Sequence, residues 1–268
     1  MSDSVASDSV RLAGVSKVFN AGRADEVTAL TGIDLTVGAG EFVSLIGPSG
    51  CGKSTLLRLI GDLVGPSAGT ITVAGKPAGR ARRDQEYGIA FQQAGLFEWR
   101  TVTRNVQLPL ELRKASTQER RERAAEMLEL VGLSDFARHY PAQLSGGMQQ
   151  RVAIARALAV HPRLLLMDEP FGALDEMTRE RLQGELLRIC RSTGTSTVFV
   201  THSIPEAVFL SDRVVVMSAR PGRITTIVDV NLGDRAEATR QSAEFFARVT
   251  EVRRALRGEP ADVPLDAP

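Results

Sequence analysis

The sequence has few cysteines, no long apolar run and almost no net charge, and each absence excludes a class of protein. Two cysteines, Cys51 and Cys190, among 268 residues give neither a disulfide framework nor a cysteine-based metal site. Buried thiols in a reducing, cytoplasmic compartment are expected instead. The longest apolar runs, such as 164–167, fall far short of the roughly 20 residues that a membrane-spanning helix requires. A net charge of +1 gives no support to a nucleic-acid-binding surface.

The length allows one large domain, which we place at residues 10–257. The segments 1–9 and 259–268 are predicted to be disordered tails, because they are rich in Ser and Asp or in Pro and Asp. The first of them has no apolar core, so neither a signal peptide nor an anchor is expected there. No internal repeat is visible, which indicates one functional unit.

The pattern of apolar residues changes twice along the chain. Short β-type segments separated by Gly and Pro turns fill the region up to about residue 81. A helical subdomain is predicted at about 95–160, where Ser116 to Glu119 form a capping box. Strands and helices then alternate, which is typical of a parallel α/β sheet. A final amphipathic helix at 236–256 is expected to pack on this chain's own core rather than on a partner.

Residues 47–55 match the phosphate-binding loop pattern G-x-x-x-x-G-K-[ST]. A buried strand is predicted before the loop and a helix after it, which makes an accidental match with a Gly-rich turn improbable. Lys53 would reach the β- and γ-phosphate oxygens, and Ser54 would ligate Mg²⁺. The candidate nucleotide-binding residues here are Gly47, Pro48, Ser49, Gly50, Cys51, Gly52, Lys53, Ser54 and Thr55.

A second glycine pair, Gly146 and Gly147, lies about ninety residues further on, within the segment 144–151. Ser145 can cap the helix that begins near Gly146, and a helix start offers unpaired N–H groups and the positive end of a dipole. Glycines let an anion approach the backbone closely. The chain therefore contains two helix starts that are suited to a phosphate.

Two carboxylates, Asp168 and Glu169, end the apolar strand 164–167. Ligands of α/β sheets bind beyond the carboxyl ends of the strands. Asp168 is therefore placed to hold Mg²⁺ directly or through water, and Glu169 to accept a proton from the attacking water or to orient it. The alternative is a solvated turn, which the neighbouring phosphate loop disfavours.

His202 and Gln92 are the remaining candidates for chemistry. A lone histidine is usually structural, as we interpret His139 and His161. His202 differs because it follows a strand that would neighbour the Asp168 strand, where it could contact the γ-phosphate and hold Glu169 or water. Gln92 follows the strand-like segment 88–91 and could sense Mg²⁺ or water at the hinge with the helical subdomain.

The order of these motifs, with 172–175 between Glu169 and His202, resembles that of ATP-binding cassette (ABC) ATPases. The resemblance implies an α/β fold, a P-loop NTPase cassette with a RecA-like parallel-sheet core, an N-terminal antiparallel β lobe and an α-helical subdomain. It also implies that Phe19 stacks on adenine; the residue could equally be plain core, but its position ahead of the first strands favours stacking. ATP and Mg²⁺ are the implied cofactors. Two ATP molecules would lie between the phosphate loop of one subunit and Ser145 and Gly147 of the other, with Asp175 in the loop that crosses the dimer.

Segments 96–106 and 206–224 resemble the importer branch for nitrate, sulfonate, taurine and related solutes. Glu98 departs from that branch, in which most members carry proline. The implied assembly is a homodimer or paired cassette with two transmembrane permease subunits, served indirectly by a solute-binding protein and without nucleic acid. Its implied location is peripheral, on the cytoplasmic face of the inner or plasma membrane.

Two other functions fit the sequence less well. A non-transport ABC ATPase of DNA repair or translation usually has a long coiled-coil insert, two cassettes or a basic surface, and the sequence has none of these. An inactive regulatory module is disfavoured by Glu169 and His202. The groove that would receive a permease helix is predicted at 92–106, where Leu96, Phe97 and Trp99 are apolar. The alternative is that Trp99 anchors the subdomain to its own core.

Overall fold

Alternating apolar and polar residues in the first part of the chain form a four-stranded antiparallel sheet with strand order β2-β1-β4-β5. The alternation places Val10 and Leu12 in the core, and an irregularity between Leu12 and Val15 brings Val15 to the same side. The computed structural model describes residues 8–233 and 235–258; residues 1–7 and 259–268, most of the two predicted tails, lie outside the described residues. The strands are β1 (Val10–Phe19), β2 (Val27–Val37), β4 (Ala68–Val73) and β5 (Lys76–Pro77).

Continuously apolar segments form a second sheet of six strands, with the order β10-β9-β3-β8-β7-β6. Five strands are parallel, and β10 pairs antiparallel with β9 at one edge. Strands that are covered on both faces need apolar residues at every position, and all five residues of β3, β7 and β8 are buried. The strands are β3 (Phe42–Ile46), β6 (Tyr87–Ala90), β7 (Leu164–Asp168), β8 (Ser196–Val200), β9 (Arg213–Met217) and β10 (Ile224–Asp229).

Most of the helices begin after a residue whose side chain caps them, whereas the helices that follow Gly52 and Pro77 have no side-chain cap. Ser116 accepts a hydrogen bond from the Glu119 N–H at 3.1 Å, and the helix ends before Gly132, as predicted. The helices are α1 (Lys53–Ile60), α2 (Ala78–Arg83), α3 (Val102–Leu112), α4 (Thr117–Leu130), α5 (Gly146–Leu158), α6 (Glu176–Thr193), α7 (Ile204–Leu210) and α8 (Ala243–Arg257). Short 3₁₀ turns are formed by Ser134–Phe136, Pro141–Gln143 and Glu237–Gln241.

The prediction of one continuous helix at 236–256 is wrong. A 3₁₀ turn ends at Gln241, and Ser242 has an extended backbone (φ −76°, ψ 149°), so α8 begins only at Ala243. The Ser242 hydroxyl accepts a hydrogen bond from the Phe245 N–H at 3.1 Å and thereby caps the new helix. The predicted packing is confirmed, because Phe245, Val249 and Val252 are buried in the chain's own core.

The six-stranded sheet separates two apolar clusters, and neighbouring residues of each strand join opposite clusters. On β7, Leu165 and Met167 pack with the helical side, whereas Leu164 and Leu166 pack with the antiparallel sheet and α1. Strand alternation produces this division, since successive side chains point to opposite faces. The predicted fold class, an α/β cassette with an antiparallel lobe and helices, is confirmed.

The contact between β6 and α5 depends on the missing side chain of Gly88. A Cβ atom there would lie 2.2 Å from the Ala157 carbonyl oxygen and 3.2 Å from Pro162 Cγ. Neither the backbone carbonyl nor the proline ring can rotate away. Gly184, within α6, is a useful contrast because a Cβ atom there would meet nothing within 4 Å.

We therefore expect Gly88→Ala to lower the free energy of unfolding by about 2 kcal/mol through overpacking. Gly184→Ala, with the same chemical change, should raise it by about 0.5–1 kcal/mol because alanine is the better helix former. Urea unfolding of the two variants and the wild type measures both effects. A Gly88→Ala variant as stable as the wild type would show that β6 and α5 can separate without cost.

Candidate functional site

The phosphate loop joins the end of β3 to the start of α1 and is held by close contacts at its glycines. A Cβ atom on Gly47 would lie 2.8 Å from the Met217 carbonyl oxygen, and one on Gly52 would lie 2.6 Å from Leu30 Cδ2. Gly52 has φ 105°, a conformation that other residues rarely adopt. The glycines of the motif are thus required by the packing of the loop as well as by its ligand.

Lys53 is folded against its own loop. Its Nζ donates to the carbonyl oxygens of Gly47 at 2.8 Å and Pro48 at 3.1 Å, and the residue is 7% exposed. A buried ammonium needs such partners, because desolvation of an unpaired charge is costly. These bonds hold the ammonium within the loop, beside the N-terminus of α1.

Ser54 and Asp168 are joined directly, although 114 positions separate them in the sequence. The Ser54 hydroxyl donates to Asp168 Oδ1 at 2.9 Å. Burial at the end of β7 raises the pKa of the Asp168 carboxyl, and the bond from Ser54 opposes that rise. The result is a hydroxyl and a carboxylate side by side at the carboxyl edge of the sheet.

Glu169 lies where the chain segments that follow β6, β7 and β8 come together. Its Oε2 lies 3.3 Å from Gln92 Nε2, which donates to it, and 3.3 Å from His202 Nδ1. Its φ is 47°, in the left-handed region that costs a non-glycine residue about 1 kcal/mol or more. The Glu169 N–H donates to the Val200 carbonyl oxygen at 2.9 Å, so the end of β8 helps to fix this conformation.

A cavity of about 440 Å³ lies over the loop and brings most of the candidates together. Phe19 borders it at the end of β1, not ahead of the strands as the sequence suggested, and is 36% exposed. Gly47, Pro48 and Cys51 shape the loop without lining this cavity. The lining residues are Phe19, Val27, Ala29, Ser49, Gly50, Gly52, Lys53, Ser54, Thr55, Gln92, Glu169, His202 and Arg220.

The second glycine pair lies outside that cavity. Ser145 caps α5 by accepting a hydrogen bond from the Met148 N–H at 3.3 Å, as predicted, and is itself exposed. A Cβ atom on Gly147 would lie 3.0 Å from the Ala173 carbonyl oxygen, so the segment packs on the chain's own 172–175 loop. Asp175 caps α6 through the Thr178 N–H at 2.9 Å, and this bond lowers the pKa of its carboxyl.

Sequence reasoning assigned no role to three residues that line the cavity. Val27 and Ala29 belong to β2, and Arg220 belongs to the loop between β9 and β10. Arg220 lies in segment 206–224, which resembles the importer branch, but the residues that it contacts lie far away in the sequence. A larger cavity of about 1250 Å³ lies between β9, β10 and α8, and Pro48 is the one candidate residue in its lining.

His161 and the two cysteines have the structural environments expected of them, whereas His139 Nδ1 is buried without a hydrogen-bond partner among the described residues. His161 Nδ1 lies 3.3 Å from Arg123 Nη2, and burial lowers the pKa of the ring. Both cysteines are buried and unpaired, and burial raises the pKa of Cys190 to about 11. None of the helices in the described ranges is both long and apolar enough to cross a bilayer.

The phosphate loop, the strand-end carboxylates and the parallel sheet define a P-loop nucleotide hydrolase. The ABC transporter family model matches residues 30–172. Taurine import ATP-binding protein TauB of Yersinia pestis bv. Antiqua is 46% identical over 230 residues, covering 84% of this chain and 89% of that protein. Nitrate import ATP-binding protein NrtD of Synechocystis sp. is 44% identical over 256 residues, covering 93% and 95%.

Solved structures agree with this assignment. The dimeric structure of MJ0796, a bacterial ABC transporter cassette, has a TM-score of 0.77 and 38% identity, covering 83% of this chain and 99% of that one. A second structure of that cassette, in a post-hydrolysis state with ADP and Pi, matches equally. This chain belongs to the ABC transporter ATP-binding family and is an ATPase of the ABC type.

Glu169→Gln should reduce ATP hydrolysis at least about 100-fold while ATP affinity stays near that of the wild type. The shape of the side chain is preserved, and only its capacity to accept a proton is lost. Lys53→Ala is the contrast, because it removes a charge that is expected to face the phosphates in both the ground and transition states. That variant should lose affinity and hydrolysis together.

Both quantities can be measured on the purified chain, by ATP titration and by steady-state phosphate release. Turnover by Glu169→Gln within a few-fold of the wild type would exclude Glu169 as the base. Wild-type affinity in Lys53→Ala would show that ATP does not bind at this loop.

Proposed function

We propose that this chain is the ATP-hydrolysing subunit of an importer for a small solute of the nitrate, taurine or sulfonate class. One observation carries the importer assignment: relatives named for taurine and nitrate import align with 84% and 93% of the chain. A cassette of this kind acts from the cytoplasmic face of the membrane. It is bound there to two transmembrane subunits, and a solute-binding protein delivers the solute to those subunits.

In the proposed reaction, Glu169 accepts the proton of the water that attacks the γ-phosphate. His202 and Gln92 each lie 3.3 Å from its carboxylate, so both can hold Glu169 in position. Lys53 binds the β- and γ-phosphate oxygens, and phosphoryl transfer then depends mainly on positioning and charge. Phe19, at the mouth of the cavity, stacks on the adenine ring.

The residues near Ser54 fit a magnesium ion. Hydroxyl and carboxylate oxygens are ligands that Mg²⁺ prefers, and Ser54 Oγ and Asp168 Oδ1 already lie 2.9 Å apart. The Gln92 amide oxygen, which its bond to Glu169 does not use, is the third candidate ligand. When bound, the ion would neutralise phosphate charge.

The position of Ser145 supports a dimer that closes over ATP. Its helix start is exposed and lies outside the cavity that contains Lys53. A phosphate-binding helix start that does not face the chain's own site is available to the site of a second subunit. The exposed Asp175 would lie in the same interface, next to the loop on which Gly147 packs.

Ser145 should therefore act in trans, and mixed dimers test this. Subunits with Lys53→Ala are combined with subunits with Ser145→Arg. The mixed dimer then has one site free of both changes only if the segment serves the opposite subunit. ATP hydrolysis by the mixture should exceed that of either variant alone by several-fold.

The control mixes wild type with the Lys53→Ala/Ser145→Arg double variant. Heterodimers are isolated from both mixtures through differential tags, because wild-type homodimers would otherwise add activity to the control. Trans action leaves one defect in each site of the control heterodimer, so it should show less activity than the test heterodimer. A control heterodimer that is more active than the test heterodimer would mean that Ser145 acts within its own subunit.

The aromatic segment after Gln92 is the proposed docking surface for the transmembrane subunits. Phe97 and Trp99 stack with their ring centroids 4.8 Å apart, and Trp99 is 74% exposed. The alternative that Trp99 anchors the subdomain to the core is therefore wrong. Leu96 differs from both, since it is half-buried and packs against the core.

Asn105 holds this surface in shape. It is fully buried, its Oδ1 accepts from the Phe97 N–H at 2.8 Å, and its Nδ2 donates to the Phe97 carbonyl oxygen at 3.1 Å. The same amide reaches the carbonyl oxygens of Arg100 and Thr101 at 3.0 and 3.1 Å. The exposed rings are thus displayed on a fixed backbone, as a docking surface requires.

Phe97→Arg and Trp99→Arg should reduce association with the transmembrane subunits and solute uptake by at least tenfold. Basal ATP hydrolysis by the isolated chain should stay near that of the wild type, because neither side chain lines the ATP cavity. Leu96→Arg is unsuitable, since a charge there would enter the core. Phe246→Arg, at an aromatic residue of α8 that is 59% exposed, is the matched control.

Uptake of labelled nitrate, taurine and alkanesulfonates by the reconstituted transporter is the readout, together with copurification of its transmembrane subunits. Normal uptake in both variants would place the docking surface elsewhere. A wild-type chain that hydrolyses ATP but copurifies with no membrane subunit would favour a non-transport ATPase.

A further inference from the structure

Arg220 lies against the phosphate loop in the same cavity as Lys53. Its Nε and Nη2 both donate to the Gly50 carbonyl oxygen, each at 3.3 Å. A guanidinium has five N–H donors in a rigid fork, so this contact leaves three of them for other acceptors. Arg220 also lines the cavity that Phe19, Lys53 and Glu169 border.

The loop that carries Arg220 is fixed to the elements around the cavity. The Gly222 N–H donates to the Ala29 carbonyl oxygen at 2.9 Å, and the Thr31 N–H donates to the Gly222 carbonyl oxygen at 3.1 Å. A Cβ atom on Gly222 would lie 2.0 Å from the Cys51 carbonyl oxygen. The loop therefore packs on β2 and on the phosphate loop at once, which places Arg220 at a defined position.

Charge also favours a nucleotide role. The cavity lining has two cationic side chains, those of Lys53 and Arg220, besides the Glu169 carboxylate and the His202 ring. Lys53 already donates to two carbonyl oxygens of its own loop. Arginine binds phosphate through several directed N–H bonds and cannot lose its charge near neutral pH.

We propose that Arg220 is a second cationic residue of the ATP site and binds the phosphates of nucleoside di- and triphosphates. The proposal rests on the assignment of this cavity as the ATP site. The bonds to Gly50 hold the guanidinium at the loop, and its remaining donors are directed to phosphate oxygens of the nucleotide.

The test is titration of the purified full-length chain with MgATP. Arg220→Ala and Arg220→Gln should each weaken ATP binding about tenfold, since a charged hydrogen bond is lost. Arg220→Lys should recover affinity to within about threefold of the wild type, because it restores the charge without the fork. Arg223→Ala is the matched control because it removes the same charge from the same loop. Arg223 is exposed and does not line the cavity.

Lys53→Ala distinguishes a failure of the proposed role of Arg220 from a failure of the ATP-site assignment. If it loses ATP affinity while Arg220→Ala binds as the wild type does, the role of Arg220 is refuted and the site assignment stands. If both bind ATP normally, the site assignment itself fails. If Arg220→Gln keeps wild-type affinity, the residue acts through its bond to Gly50 and not through its charge, which also overturns the proposal. Equal losses in Arg223→Ala would indicate a general charge effect and count against it.

Thermal unfolding without nucleotide checks that each variant is folded. If Arg220→Ala does not fold, Arg220→Lys and Arg220→Gln decide the question, because both retain a donor for the Gly50 carbonyl oxygen. ATP binding that is at least about threefold tighter in Arg220→Lys than in Arg220→Gln supports the proposal, and equal affinities refute it.

Discussion

The parallel pairing of β3, β8 and β7 is the constraint on which the rest of the site depends. In this register Asp168 pairs with Val200, so the strands that lead to Glu169 and to His202 end at the same edge of the sheet. The strand before the phosphate loop ends there as well, since Leu45 pairs with Val200. A one-residue slip would move every side chain of a strand to the opposite face, and all five positions of each are buried. The packing of the sheet thereby fixes the Ser54–Asp168 bond.

The antiparallel lobe completes the cavity from the other side. Phe19 ends β1, and Val27 and Ala29 lie near the start of β2, so the lobe supplies the cavity wall that faces the loop. Gly222 ties this lobe to the core, since its N–H and carbonyl both bond to β2. The Arg213 guanidinium adds a second tie, because it donates to the Thr36 carbonyl oxygen at 2.6 Å. These bonds hold the lobe next to the phosphate loop.

The grouping of the site residues was predictable from the sequence, because spacing motifs and the strand-end rule act locally. Lys53, Glu169 and His202 are brought together as the order of strands required, although their catalytic roles stay predictions. Three other features do not follow from such motifs; two of them depend on local hydrogen bonds and one on a distant contact. The break at Ser242 depends on one capping bond, and the exposure of Trp99 depends on Asn105 fixing the loop around it. The position of Arg220 in the cavity was not predicted, because Gly50, whose carbonyl oxygen it contacts, lies 170 positions away in the sequence.

Helix α5 connects Ser145, the proposed contact with a second subunit, to Gln92 and to the Phe97–Trp99 surface. It begins at Ser145, and further along the same helix Gln150 Nε2 donates to the Phe91 carbonyl oxygen at 2.8 Å, immediately before Gln92. Arg156 donates to the carbonyl oxygens of Ala94 and Gly95, each at 2.8 Å, just ahead of the Phe97–Trp99 surface. Side-chain-to-backbone bonds of this kind tie α5 to both segments, so a rigid helix that carries them would move the two segments together. A subunit that engages Ser145 from outside would therefore act on Gln92 and on the aromatic surface through one element. The sheet provides a longer connection to that surface, because it is joined to it through β6 and the residues that follow β6.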